Sequence, residues 1–180
     1  MKSPSSARAD ARGLRVLVLR ATFNAEVVDG LLAGAREALR AMGARAQDVT
    51  VVAVPGAFEL PLAAAAGARS RRYDAIVALG AVIRGETDHY EHIAREAARG
   101  LGAVARVFGI PVGFGVLTVG EEAQARARSA PGPANKGAEA ARAAVAMARL
   151  IPSLARGRAA ARPPRALRPP GARSRPRKIV

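Results

Sequence analysis

Short runs of branched apolar residues alternate along this chain with longer stretches whose apolar side chains recur every three or four positions. Leu14 to Leu19 (LRVLVL) reads as a buried strand. From Asn24 to Met42, Val27, Val28, Leu31, Leu32, Ala35, Ala38, Leu39 and Met42 fall at helical spacing, and Gly43 is placed to cap that helix. Asp48 to Val54 predicts a second strand, ended by Pro55-Gly56. The Ala-rich segment Glu59 to Ser70 predicts a helix with Pro61 in its first turn. Ala75 to Leu79 predicts a third strand closed by Gly80, and His89 to Leu101 a helix ended by Gly102. Val112 to Leu117 (VGFGVL) predicts a fourth strand, its two glycines marking a close backbone approach. A short helix over Glu121 to Arg128, a break at Pro131-Gly132-Pro133 and a final helix over Asn135 to Leu150 complete the pattern. Strand–helix alternation of this kind builds right-handed crossovers and a parallel sheet covered on both faces. The expected class is α/β, a three-layer αβα sandwich around a central four-stranded parallel sheet.

Composition narrows the possibilities. The chain has 180 residues, 50% of them hydrophobic, which suffices for one packed domain. It contains no Cys, so disulfides, thiolate nucleophiles and zinc fingers are excluded. No apolar run approaches the roughly 20 residues that cross a bilayer. Met1 to Gly13 lacks the apolar stretch of a secretory signal, and the expected location is cytoplasmic. The formal net charge is +15, but it is unevenly spread. Pro152 to Val180 carries eight Arg, Lys178 and six Pro with no acid. Three parts are therefore expected: a flexible N-terminal segment over residues 1–13, one domain over 14–151, and a basic, extended Pro/Arg-rich tail over 152–180. That tail reads either as a solvated appendage or as an electrostatic arm for nucleic acid; no aromatics are interleaved in it for base stacking.

Ligands of open α/β sheets bind outside the carboxyl ends of the strands, so the residues following each strand carry the candidate chemistry. At or near these strand ends lie Phe23, Phe58, Phe114 and one of only two histidines, His89, in a chain that is 3% aromatic. Phe23 reads as a staple against the following helix or as a stacking platform for a flat heterocycle. Glu59 reads as a first-turn carboxylate or as an acceptor for a polyhydroxylated ligand. Gly85-Glu86-Thr87 opens a helix whose free N–H groups suit a phosphate, or it serves only to cap. His89 sits at the same helix start, where the positive end of the helix dipole suits a neutral imidazole that takes and gives protons. His92 follows three residues on, but no Cys or acidic cluster joins it, and no metal site is expected. Arg84 reads as the partner of a nearby acid, and Arg128 as an anion contact. The Gly-rich fingerprints of nucleotide sites are absent.

Val54-Pro55-Gly56-Ala57-Phe58-Glu59-Leu60-Pro61 and Ala78 to Glu91 (ALGAVIRGETDHYE) resemble the 6,7-dimethyl-8-ribityllumazine synthases, as do Phe114 to Thr118 and Asn135 to Ala141. The resemblance runs from about Leu14 to Leu150. It implies a flavodoxin-like fold and the penultimate step of riboflavin synthesis. In that step 5-amino-6-(D-ribitylamino)uracil condenses with 3,4-dihydroxy-2-butanone 4-phosphate, with release of phosphate and water. By the same resemblance Phe23, Ala57, Phe58, Glu59, Ala81, Val82, Ile83, Phe114 and Lys136 would line the pyrimidine and ribityl site. Glu86, Thr87 and Arg128 would hold the phosphate, and His89 would move protons, with no cofactor and no metal. The resemblance also implies a pentamer or a multiple of it, up to a shell, with Phe114 and Arg128 reaching the site from a neighbouring subunit. Two departures stand out: Thr22 replaces the family's usual Arg, and Pro131-Gly132-Pro133 replaces a Lys-containing turn. The alternative function is a shell-forming or polyanion-binding assembly protein of the same fold that uses the basic tail.

Overall fold

The computed structural model describes residues 10–160. Four strands, β1 (Val16–Ala21), β2 (Val49–Val54), β3 (Ala75–Ile83) and β4 (Val112–Val119), form one sheet in the order β2-β1-β3-β4. All three pairings are parallel. Helices α1 (Ala25–Ala41), α4 (Glu122–Ser129) and α5 (Lys136–Ala160) cover one face, and α2 (Leu60–Arg69) and α3 (His89–Phe108) the other. The expected sandwich is therefore the observed one. Alternate residues of each central strand feed opposite cores: Val16 and Val18 pack towards α1 and α5, Leu17 and Leu19 towards α2 and α3. Burial of both faces explains why these strands read as continuous apolar runs.

Two glycines permit the layers to close. A Cβ on Gly113 of β4 would stand 2.2 Å from the Ala140 carbonyl oxygen, and one on Gly137 of α5 would stand 1.9 Å from that of Leu31. Backbones therefore touch where β4 meets α5 and where α5 meets α1. Gly43, at φ 90°, turns the chain out of α1 as expected.

Several boundaries differ from the sequence expectation. β3 does not close at Gly80 but continues to Ile83, because β4 goes on pairing with it from Gly80↔Val116 to Ile83↔Val119. Ala81, Val82 and Ile83 are thus strand residues, and β4 likewise runs on through Thr118 to Val119. Helix α3 passes through Gly102 and stops at Gly109, which adopts φ 63°. A glycine within a helix costs only about 1 kcal/mol, which burial of Leu101 and Val104 outweighs. The final helix runs through Pro152 to Ala160, so the first residues of the expected extended tail are helical. Proline removes one hydrogen bond, while the surrounding Ala, Leu and Arg favour the helix on both sides. The remainder of that tail, 161–180, lies outside the described residues, as do residues 1–9 of the N-terminal segment. Residues 10–13 are tied down: Ala11 is fully buried and donates its N–H to the Met42 carbonyl at 2.8 Å, and Arg149 Nε donates to the Asp10 carbonyl at 2.7 Å. No helix among the described residues is long and apolar enough to cross a membrane.

Candidate active site

The carboxyl ends of β1, β2 and β3 lie side by side, and the turn after β1 is sewn to both neighbours. Thr22 N–H donates to the Val54 carbonyl (2.8 Å), Thr22 Oγ1 to the Pro55 carbonyl (3.0 Å), and Phe23 N–H also to Pro55 (3.0 Å). Asn24, in the left-handed region at φ 56°, ψ 45°, sends Nδ2 to the Ala81 carbonyl on β3 at 2.9 Å. Asparagine tolerates this conformation better than most residues. These bonds fix the backbone on either side of Phe23 while leaving its ring 70% exposed.

A cavity of about 430 Å³ opens here. Phe23, Gly56, Ala57, Phe58 and Glu59 line one side, Ala81, Val82 and Ile83 the floor, and Gly85, Thr87, His89, Tyr90 and Ile93 the other side. Buried Ala57, Ala81 and Val82 give it a dry base, whereas Phe58 is 55% exposed at its rim. Two rims carrying aromatic rings, a half-buried carboxylate and an imidazole at the start of α3 suit a flat, polar heterocycle bearing hydroxyls. Thr87 and the first N–H groups of α3 supply donors for an anion.

Ten of the expected site residues are brought together: Phe23, Ala57, Phe58, Glu59, Ala81, Val82, Ile83, Thr87 and His89 line the cavity, and Glu86 sits in the loop between two lining residues without lining it itself. The other three expected residues, Phe114, Lys136 and Arg128, lie elsewhere. They line a second groove of about 180 Å³ along β4, with Gly115 to Val119. In that groove Arg128 Nη1 donates to the Gln124 carbonyl at 3.0 Å and has no acidic partner among the described residues. Lys136 pairs with Glu139. Helix α4, which carries Arg128, is pinned to α1 by Arg126, whose guanidinium bridges Glu122 and Glu26 and is held protonated more firmly by both.

Among the lining residues, Gly56, Tyr90 and Ile93 are given no site role by the sequence. Tyr90 and Ile93 follow His89 on the inward face of α3; their one-and-four spacing from His89 was the available signal. Among the described residues Arg84 pairs with no acid: its guanidinium lies 5.5 Å over the Tyr90 ring. Among the described residues no group of three His, Asp or Glu gathers as a metal centre would require.

The 6,7-dimethyl-8-ribityllumazine synthase family model matches residues 13–152. A 6,7-dimethyl-8-ribityllumazine synthase of Kineococcus radiotolerans is 55% identical over 138 residues, covering 76% of this chain and 84% of its own. Relatives of the same description from Nitrosomonas europaea and Nitratidesulfovibrio vulgaris are 46% and 43% identical over 145 residues, covering 81% of this chain and 86% and 93% of theirs. A match of this extent, on a chain whose strand ends form the cavity just described, shows that it belongs to the 6,7-dimethyl-8-ribityllumazine synthase family and has that family's enzyme activity.

Proposed function

We propose that the cavity condenses 5-amino-6-(D-ribitylamino)uracil with 3,4-dihydroxy-2-butanone 4-phosphate, and that its residues divide the work as follows. Phe23 stacks on the pyrimidine. Ala57, Phe58, Glu59 and the β3 end Ala81-Val82-Ile83 surround the ring and its ribityl chain, with Glu59 accepting hydrogen bonds from hydroxyls. Thr87, the first turn of α3 and Arg128 hold the phosphate, and Phe114 and Lys136 complete the pyrimidine side. The carrying observation is the single cavity that collects Phe23, Phe58, Glu59, Thr87 and His89 from three strand ends.

The chemistry needs no protein nucleophile. The substrate's amine attacks the ketone and water leaves, giving an imine. Loss of a proton from the adjacent carbon then drives the C–O bond electrons onto phosphate, which departs. The enol left behind tautomerises to a methyl ketone; attack on it by the ribityl-bearing nitrogen and loss of a second water complete the bicycle. His89 serves as the proton carrier in these steps, worth about 10²–10⁴-fold for a well-placed general base or acid. Cationic contacts stabilise the departing phosphate. Holding two substrates in register contributes up to about 7–11 kcal/mol where alignment is good.

A site of this kind is complete only when Arg128, Phe114 and Lys136 of one subunit meet the His89 cavity of another. Separation of the two grooves on one chain supports that assembly. So does the exposure of large apolar side chains, Leu62 at 73%, Val107 at 75% and Phe114 at 47%, which suits covered faces. The test supplies both substrates to purified protein and follows product absorbance. His89→Ala is expected to slow turnover about 10²-fold or more. Turnover at the wild-type rate would remove His89 from its role.

A further inference from the structure

Asn135 is 1% exposed and lies between three helices. Its Nδ2 reaches three carbonyls: Gly30 of α1 at 3.0 Å, Ser129 at 2.7 Å and Ala130 at 3.1 Å, the last two at the end of α4. Its Oδ1 accepts the Ala138 N–H at 3.0 Å and so caps α5. Three acceptors on one side fix which way the amide points, since a carbonyl oxygen facing them would be repelled. The surroundings leave no slack: a Cβ on Gly34 would stand 2.1 Å from Oδ1, and one on Gly30 would stand 2.7 Å from the Ser129 oxygen. Arg128 immediately precedes Ser129, and Lys136 immediately follows Asn135.

We infer that Asn135 is a positioning residue for catalysis: by tying the carbonyls that follow Arg128 to α1 while capping the helix that begins at Lys136, it sets where the Arg128 guanidinium stands. This rests on the reading of Arg128 as a phosphate-holding group. The two halves of the amide have separable duties. Nδ2 governs the end of α4 and thus Arg128; Oδ1 governs the start of α5 and thus Lys136. Serine at this position keeps a capping oxygen but cannot reach the three carbonyls.

In the full-length protein, Asn135→Ser is expected to raise KM for the butanone phosphate, and the inhibition constant of inorganic phosphate, about tenfold, with KM for the ribitylaminouracil within about twofold. Gly34→Ala, which displaces the amide without deleting it, is expected to shift the phosphate constants in the same direction and serves if the serine variant does not fold. Unchanged phosphate constants, or both KM values rising together with a falling kcat, would overturn the inference. Arg128→Ala separates the two readings. If it raises the phosphate constants and neither other variant does, Asn135 has no positioning role. If Arg128→Ala leaves them unchanged, the phosphate reading falls and this inference falls with it.

Discussion

Asn24 and Ala81 are joined across 57 positions of sequence by one hydrogen bond, Nδ2 to carbonyl at 2.9 Å, which ties the loop bearing Phe23 to the floor of the cavity. Asn24→Gly keeps the left-handed backbone and removes only this bond. It is expected to raise KM for the ribitylaminouracil about three- to tenfold with little loss of stability. Asn24→Ala adds a backbone cost of about 1–2 kcal/mol on top. Steady-state kinetics beside urea denaturation of both variants separates the two effects, and equal kinetics in the glycine variant would dissociate the bond from ligand placement.

His89 and Arg128 line different grooves of one chain, so two impaired variants are expected to complement each other. His89→Ala and Arg128→Ala, unfolded together and refolded as an equal mixture, restore about a quarter of wild-type activity if each site draws its imidazole and its guanidinium from different subunits. A mixture no more active than its components would place both groups in one chain's site.

Gly137 faces the Leu31 carbonyl so closely that an added Cβ would stand 1.9 Å from it. Gly137→Ala must push α5 away from α1, and a loss of about 1–3 kcal/mol is expected by chemical denaturation. Gly85, around which a Cβ meets nothing within 4 Å, provides the comparison: Gly85→Ala should leave the denaturation midpoint nearly unchanged.

Asp74 clasps the start of β3 to the start of β1. It accepts the Arg15 N–H at 2.8 Å and two guanidinium bonds at 3.2 Å. Partial burial pushes its carboxyl up, but the hydrogen bonds and charge of Arg15 prevail and the net shift is downward. A carboxylate lowered on folding stabilises the fold above its ordinary value near ~4 and loses that contribution as pH falls through the lowered one. Asp74→Asn should therefore be less stable than the parent at neutral pH, and the gap should close on acidification. Urea midpoints measured from neutral to strongly acid pH test this; a gap that persists undiminished would rule out the ionic linkage.

Much of the cavity is legible in the sequence alone. Phe23, Phe58 and His89 are scarce residue types placed after strands, and the geometry of parallel sheets sends such positions to one end. Tyr90 and Ile93 are not legible as lining residues, because helical periodicity alone does not say which neighbour a face meets. Glu86, expected beside its neighbours, lines neither groove, since a loop residue's direction is set by local backbone rather than by spacing. β3 and α3 run past Gly80 and Gly102 because glycine interrupts an element only where nothing compensates; pairing with β4 compensates at the first and burial of Val104 at the second.

Alternation of apolar runs and helical stripes determined the αβα sandwich by itself, because burying both faces of a parallel sheet leaves few other solutions for a chain of this pattern. Tertiary structure alone decided that Arg128 and Lys136 stand along β4, apart from His89, and that Asn135 ties the end of α4 to the start of α5. The physical reason is that apolar burial is non-directional and can be read from composition along the chain, whereas hydrogen bonds of one buried amide depend on which distant carbonyls the folded backbone brings within reach.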